Sequence, residues 1–401
     1  MNVSRGQIAT TVRAYDLVII VSLLWFMVQF LRFVFPPLFE TFQGLYGVSN
    51  THTGILFTAM MLAYSAVQFP AGVLGDRVGR PFVILAGTTV FTGAALVAAA
   101  SPTFLVLLAA AVLIGLATGP HKAVAIPLLS SQYPDRTGRA LGAMDTIGQF
   151  GGMVAPLVVV LFLAVFAWQG VFILGAVLST LFGLLFYLRI RDDDELHVRG
   201  VETPRESDAD ADEEGDVSYI SVFSDPSLLV FMVVTMLFTF AWNGLSSFFP
   251  LFLTAEKGVT EGVAGALYSL LFVASVSQAV TGDLSDRVGR LRVGVLLFLA
   301  MFLGVSALLV VDALVGIVAI TLIVGVGFHG FRPVRDSYLM DVIPDSIGGG
   351  TLGVIRTGMT AVGALAPAIT GYLSDTVGFT IAFAVIAAAA AVAGLLTLAL
   401  R

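Results

Sequence analysis

Hydrophobic positions along this chain are gathered into long runs rather than into short alternating segments. Each run holds about twenty residues, enough for a helix rising 1.5 Å per residue to cross roughly 30 Å of hydrocarbon. Short polar or Gly/Pro-containing connections separate the runs. Because lipid offers no partners for free backbone amides, we expect every run to be a helix. The predicted spans are 15–38, 53–74, 82–100, 104–130, 141–164, 168–188, 226–253, 263–282, 293–311, 313–339, 351–373 and 378–400.

The composition agrees with a membrane location and excludes several functions. Of 401 residues, 58% are hydrophobic and 12% are charged, the charged share being about half of that in soluble domains. Cysteine is absent, and the four histidines show no metal-ligand spacing. No Gly-Lys-Ser/Thr phosphate-binding loop occurs in the sequence. We therefore expect no enzyme activity, no cofactor and no metal, and the net charge of −7 disfavours nucleic acid as a partner.

Arginine placement predicts the orientation of the chain. Arginines lie in alternate connections, at residues 77–80, 136–139, 189–191 and 287–292, whereas the other connections contain almost nothing basic except Lys257. We call these two faces the arginine-rich side and the arginine-poor side. By the positive-inside rule, the arginine-rich side is cytoplasmic. Both termini then lie in the cytoplasm, as does the segment 192–216, which holds twelve carboxylates and two arginines.

A nine-residue motif repeats along the chain. GVLGDRVGR at 72–80 returns as GDLSDRVGR at 282–290, 210 residues later and at the same place among the spans. GYLSDTVGF at 371–379 is a third, weaker copy, which suggests smaller units nested within each half. The predicted division is an N-terminal six-helix half at 1–190, an acidic cytoplasmic linker at 191–224 and a C-terminal six-helix half at 225–401.

The motif between spans two and three, repeated between spans eight and nine, resembles the signature of the major facilitator superfamily. The resemblance covers essentially the whole chain. It implies an all-α membrane protein with twelve transmembrane helices in two pseudo-symmetric six-helix halves, the major facilitator fold. It also implies a secondary active transporter that works by alternating access, as a monomer in the cell membrane. Its partners would be the lipid bilayer and a small-molecule substrate, with a coupling proton or a counter-anion.

The motif residues are predicted to form a gate on the arginine-rich side. The glycines permit a tight turn and the close approach of two helices. Asp145 and Arg356 lie about one turn inside spans five and eleven, at matching places with opposite charge. When this side is shut, we expect Arg356 to meet Asp76, and Asp145 to meet Arg287 or Arg290. The alternative is a set of interfacial charges that reach water. The predicted gating residues are Gly72, Asp76, Arg77, Arg80, Asp145, Gly282, Asp286, Arg287, Arg290 and Arg356.

Three cations lie deeper within the predicted spans. Arg32 belongs to span one, Lys122 to span four and Arg332 to span ten. Charged groups inside a membrane are costly and therefore usually functional. These cations have no obvious carboxylate at the same depth, and an anionic substrate would supply the missing charge. The alternative is that they pair with helix carbonyls or with Asp145 and Asp336.

A narrower resemblance concerns the substrate. The stretch from Gln29 through Pro37 is similar to span one of the organophosphate and organic-anion carriers of the superfamily, in which an arginine at this place binds phosphate or carboxylate. Arg32 matches that arginine and shares a helical face with Gln29. The second substrate arginine of those carriers, in span seven, is absent here, which puts phosphate esters in doubt. The predicted substrate-binding residues are Gln29, Arg32, Tyr64, Gln68, His121, Lys122, Gln149, Trp242, Asn243, His329 and Arg332.

The favoured function is secondary active transport of an organic anion such as a carboxylate, and two alternatives remain. Aromatic-rich spans suggest an exporter of amphipathic compounds or drugs. The stretch GQFGGMVAP at 148–156 lacks the Gly-Pro pair that drug/proton antiporters carry there, which argues mildly against export. A transporter-like solute receptor would need a cytoplasmic interaction module, and only the acidic linker could serve as one.

Overall fold

The computed structural model of the chain describes residues 5–191, 226–342 and 348–400, with side chains throughout except at 5–14 and 348–357. Every regular element within these ranges is helical. The predicted all-α membrane fold is therefore confirmed. The acidic linker, from residue 192 onward, and the side chain of Arg356 lie outside the described residues.

The helices of the first set begin and end close to the predicted spans. They are α1 (Arg5–Val34), α2 (Phe39–Tyr46), α3 (Asn50–Val78), α4 (Arg80–Ala99), α5 (Phe104–Gln132), α6 (Thr137–Val165) and α7 (Gln169–Arg191). The helices of the second set are α8 (Pro226–Lys257), α9 (Glu261–Val273), α10 (Ser277–Val288), α11 (Arg290–Val310), α12 (Leu314–Val342), α13 (Gly348–Thr376) and α14 (Phe379–Ala399).

Two predicted spans are built from more than one helix. Span one passes through a 3₁₀ turn at Pro36–Leu38 into α2, and it ends at Gly47 with φ of 64°. Proline has no amide hydrogen to donate, so the α-helical ladder is interrupted there. Span eight combines α9 and α10 across a 3₁₀ turn at Ala274–Val276. In the part of the chain that the structure describes, eleven helical segments are long and apolar enough to cross a membrane.

Corresponding helices pack together in both sets. Helix α1 packs on α6 and α8 packs on α13; α4 packs on α5 and α11 packs on α12. In the same way, α4 packs on α7 and α11 packs on α14. The pairs are therefore spans one and five, three and four, and three and six of each set. The repeat that was predicted from one motif thus extends to the packing of the helices.

The chain forms two compact units. The first unit contains Met1–Val34 and Ala63–Asp208, and the second contains Phe35–Leu62 and Ala209–Arg401. The chain leaves the first unit inside span one and returns to it inside span two. The division predicted around the linker stays a prediction, because residues 192–225 are not described.

The three copies of the motif share one backbone feature. Gly79, Gly289 and Gly378 have φ angles of 97°, 107° and 91°. Each lies between the end of one helix and the start of the next. Residues with a side chain rarely adopt this conformation, so glycine is required for the tight turn. The third copy, which is weak in sequence, therefore shares the glycine turn of the other two.

Candidate functional site

In the first unit, a tryptophan of α1 lies against two residues of α5. The Trp25 ring stacks on His121 with the ring centres 5.8 Å apart, and the Lys122 Nζ lies 5.4 Å from the centre of the Trp25 ring. His121 Nε2 lies 3.3 Å from the Val21 carbonyl oxygen. Gly148 of α6 makes room for the tryptophan, since a Cβ there would lie 2.2 Å from the Trp25 Cδ1. Any larger residue would displace the ring.

Lys122 also has a carboxylate partner. Its Nζ lies 2.9 Å from the Asp145 Oδ1 of α6, and the two side chains are 36% and 50% exposed. This is the ion pairing that the sequence left open as the alternative for the deep cations. Because both groups reach solvent, water or a dissolved ion can compete for either of them.

Arg32 completes the charged cluster of the first unit. Its guanidinium lies 5.6 Å from the centre of the Tyr64 ring, and Tyr64 is within electrostatic range of both Arg32 and Asp145. One turn before Arg32, Gln29 is 8% exposed, and its Oε1 has no hydrogen-bond partner among the described residues. Two further predicted residues are half-buried and lie one helical turn from this cluster: Gln68 and Gln149.

The second unit places a tryptophan of α8 against two residues of α12. The centres of the Trp242 and His329 rings are 5.0 Å apart in an edge-on arrangement, and the Arg332 guanidinium lies 5.2 Å from the centre of the Trp242 ring. His329 is fully buried, and within the described chain neither of its ring nitrogens has a hydrogen-bond partner. Phe272 covers another side of this imidazole at 5.7 Å.

A second ion pair lies one turn further along α12. Arg335 contacts the neighbouring Asp336 at 2.7 Å and lies over the Phe238 ring at 5.9 Å. Asn243, beside Trp242 on α8, is 5% exposed. Gly363 of α13 makes room for it, since a Cβ there would lie 2.7 Å from the Asn243 Nδ2.

The two clusters correspond through the repeat. The offset of 210 residues that relates the first two motif copies also relates Lys122 to Arg332. In each unit, a cation from the fourth span of the set lies over a tryptophan from the first span. The sequence predicted Lys122, Arg332 and Trp242 as binding residues, but it predicted neither Trp25 nor the contacts between the cations and the rings. It also missed Phe238 and Phe272, whose only signal is helical spacing from other aromatic residues.

The predicted gating residues make mainly local ion pairs. Asp76 lies 3.1 Å from Arg80, four residues later. Arg290 contacts Asp341 of α12 directly and lies 3.8 Å from Asp286. Asp341 was not predicted, because it has no counterpart in the motif. The proposed partner of Asp76, Arg356, lies outside the described side chains, so the gate between them stays a prediction.

The motif glycines differ in how closely they are packed. A Cβ at Gly72 would meet nothing within 4 Å, and one at Gly282 would only touch the Pro333 Cβ at 3.7 Å. The close approach of two helices occurs instead at Gly75, where a Cβ would lie 2.3 Å from the Val124 Cγ1 of α5. Two arginines of the motif, Arg77 and Arg287, are exposed, and Arg287 pairs with Asp283 at 3.0 Å.

Comparison with known proteins gives consistent matches. The family model described as Major Facilitator Superfamily matches residues 21–331 and 231–401. A protein named "Probable sulfoacetate transporter" from Cupriavidus necator is 22% identical, with 83% of this chain and 80% of that protein covered. A "Probable 4-methylmuconolactone transporter" from Cupriavidus pinatubonensis is 25% identical, with 93% and 86% covered. The crystal structure of a D-xylose-proton symporter has a TM-score of 0.78 at 14% identity, with 96% and 97% covered.

Proposed function

Because the chain belongs to the Major Facilitator Superfamily, we propose that it is a secondary active transporter that moves a small organic anion across the cytoplasmic membrane. That it is a multi-pass membrane transporter, and not an enzyme, follows from the family. The coupling to a proton or a counter-anion and the monomeric state are parts of the proposal. So is the orientation, with both termini in the cytoplasm, which the placement of the arginines supports.

The grouping of cations within the spans of each unit is the observation that carries this proposal. In the first unit, Lys122 pairs with Asp145, and Arg32 lies beside Tyr64. In the second unit, Arg335 pairs with Asp336, and Arg332 lies one turn earlier over Trp242. Each cluster therefore brings two cations to the same part of its unit. Charged groups inside a membrane are usually functional, and neighbouring cations are suited to bind an anionic solute.

The chemistry of the first cluster favours a small carboxylate or sulfonate. The planar guanidinium of Arg32 presents paired donors that match two oxygens of one anionic group. The Gln29 amide, one turn away, offers an acceptor for a hydroxyl or protonated group of the same solute. Sulfoacetate, the solute in the name of one relative, is an organic anion of this kind. Aromatic rings beside both cations would exclude water from the bound solute.

The proposal is tested first by ligand screening. Purified protein is heated with sulfoacetate, small carboxylates, phosphate esters, sugars and cationic drugs at two pH values. We expect organic anions to raise the melting temperature, because a ligand that binds the folded state stabilises it by mass action. The best anion is then supplied to proteoliposomes, with protein-free liposomes as the control.

Uptake of the labelled anion above the control is the expected result. Loading the vesicles with the unlabelled anion should accelerate uptake, as expected of a carrier that alternates between two faces. Stabilisation by cationic drugs alone would instead favour the exporter of amphipathic compounds. Binding of an anion without any uptake or exchange would favour the solute receptor.

A further inference from the structure

The third copy of the motif lacks the arginine that holds the aspartate in the other two copies. Asp76 pairs with Arg80 at 3.1 Å, and Asp286 lies 3.8 Å from Arg290. At the corresponding position, the third copy has Phe379. The aspartate of the third copy therefore has no local arginine, and its carboxylate is available to another part of the chain.

That aspartate, Asp375, binds the start of α3. Its Oδ1 accepts a hydrogen bond from the Asn50 amide at 3.1 Å, and its Oδ2 accepts one from the Thr51 amide at 2.7 Å. The Thr51 hydroxyl donates to the same Oδ2 at 2.5 Å. Amides in the first turn of a helix have no partner within it and carry partial positive charge, which a carboxylate stabilises. Residues more than 320 apart in sequence are joined in this way.

The helices on either side of this contact touch through their backbones. A Cβ at Gly54 would lie 2.4 Å from the Pro367 carbonyl oxygen, and one at Gly371 would lie 2.4 Å from the Asn50 carbonyl oxygen. The Thr58 hydroxyl accepts a hydrogen bond from a backbone amide of α13 at 3.0 Å. The first turns of α3 thus fit against the end of α13, and both belong to the second compact unit.

The rest of α3 belongs to the first unit. One helix therefore takes part in both units, and its N-terminal end is the part held by Asp375. The direct contact of α3 with α13 includes the three hydrogen bonds to Asp375 and close backbone packing at Gly54 and Gly371. Hydrogen bonds of this kind can be lost and reformed when packed helices shift.

We infer that Asp375 is a gating residue that holds the arginine-poor side of the transporter shut. When the transporter opens to that side, the start of α3 leaves the end of α13 and the three hydrogen bonds are lost. Copies of one motif would thus act on both sides of the membrane. The two copies on the arginine-rich side keep the arginine that pairs with the aspartate, and the copy on the arginine-poor side has Phe379 in its place. This inference rests on alternating access and not on the class of substrate.

Spin labels measure this opening directly. The chain has no cysteine, so Leu45→Cys and Val377→Cys introduce one label on each side of the contact. Both positions are exposed and neither makes the hydrogen bonds. In Asp375→Ala, protein in lipid nanodiscs should show a second, longer distance, with the ratio of open to closed states raised about tenfold.

Two further variants make the result decisive. Asp312→Ala removes another carboxylate of the same side, which pairs with Lys257 at 2.8 Å, and it should leave the distances unchanged. Thr51→Val keeps the volume but removes one donor, and it should shift the ratio in the same direction by about threefold.

Distances in Asp375→Ala and Thr51→Val that match those of Asp312→Ala would overturn the inference, because Asp375 would then be a static helix cap. If Asp375→Ala fails to fold, Thr51→Val decides alone. No substrate is needed for these measurements. Opened distances in a protein that transports no anion would therefore overturn the proposed function and leave the gate standing.

Discussion

The two units place a tryptophan, a histidine and a cation together in the same way, but they surround the histidine differently. In the first unit, His121 lies flat against its tryptophan and within hydrogen-bond reach of the Val21 carbonyl. In the second unit, His329 lies edge-on and fully buried, without a hydrogen-bond partner in the described chain. A buried polar group that makes no hydrogen bond lowers stability. We therefore expect His121 to stabilise its unit and His329 to serve transport at some cost in stability.

The cations beside these histidines differ as well. Lys122 shares an exposed ion pair with Asp145, which lies on another helix. Arg332 lies over a buried tryptophan, and the ion pair one turn further along joins two neighbouring residues of the same helix. The repeat has thus preserved the contact between cation and ring, while the ion pairs of the two clusters differ in whether they join two helices. We interpret the first cluster as one whose internal partner a solute can replace, and the second as one that encloses the solute.

The largest effect is expected when the deep arginines become lysines. Arg32→Lys keeps the charge but loses the planar fork that matches two anion oxygens. Binding of the best anion from the screen should weaken by about 2–5 kcal/mol if the contact is desolvated, which is roughly thirty-fold or more in Kd. Arg332→Lys tests the second cluster in parallel. Calorimetric titration gives the affinity, and proteoliposome uptake gives the transport.

Arg292→Lys, at an exposed position on the arginine-rich side, is the matched control and should bind normally. Loss of binding in Arg32→Lys but not in Arg332→Lys would assign anion recognition to the first unit. Normal binding and transport in both deep variants would make these arginines structural, and the organic-anion proposal would fail.

A smaller effect is expected on stability when each histidine becomes leucine. His121→Leu loses the contact with the Val21 carbonyl and should lower the unfolding free energy by about 1 kcal/mol. His329→Leu removes a buried group that makes no hydrogen bond, so the melting temperature should stay the same or rise. Thermal unfolding without ligand measures both changes. A greater loss of stability in His329→Leu than in His121→Leu would reverse the contrast between the two units.

Sequence alone predicted the fold well because the physical constraint is strong. Runs of apolar residues in lipid must be helices, and the repeat of GVLGDRVGR as GDLSDRVGR indicated which helices of the two sets correspond. For the site, the sequence identified many of the residues but not the contacts between them. The sequence left pairing of the deep cations with Asp145 open as an alternative, but Lys122 and Asp145 are 23 positions apart on different helices, so neither spacing nor hydropathy could decide it. Asp375 was overlooked because its copy of the motif is weak, and only the structure reveals the helix start that it binds.

The smallest effect tests whether Asp145 competes with the solute for Lys122. Asp145→Asn keeps the volume but removes the negative charge from an ion pair that is partly exposed. Such pairs contribute about 0–1 kcal/mol, so anion affinity should rise by at most about fivefold. Added salt should reduce the gain, because the exposed charges are screened. The matched variant is Asp336→Asn, whose partner Arg335 is the adjacent residue, and its affinity should change less. Weaker anion binding in Asp145→Asn would show that Asp145 positions Lys122 for the anion instead of competing with the anion for it. The ion pair of the first cluster would then not be replaced by the solute.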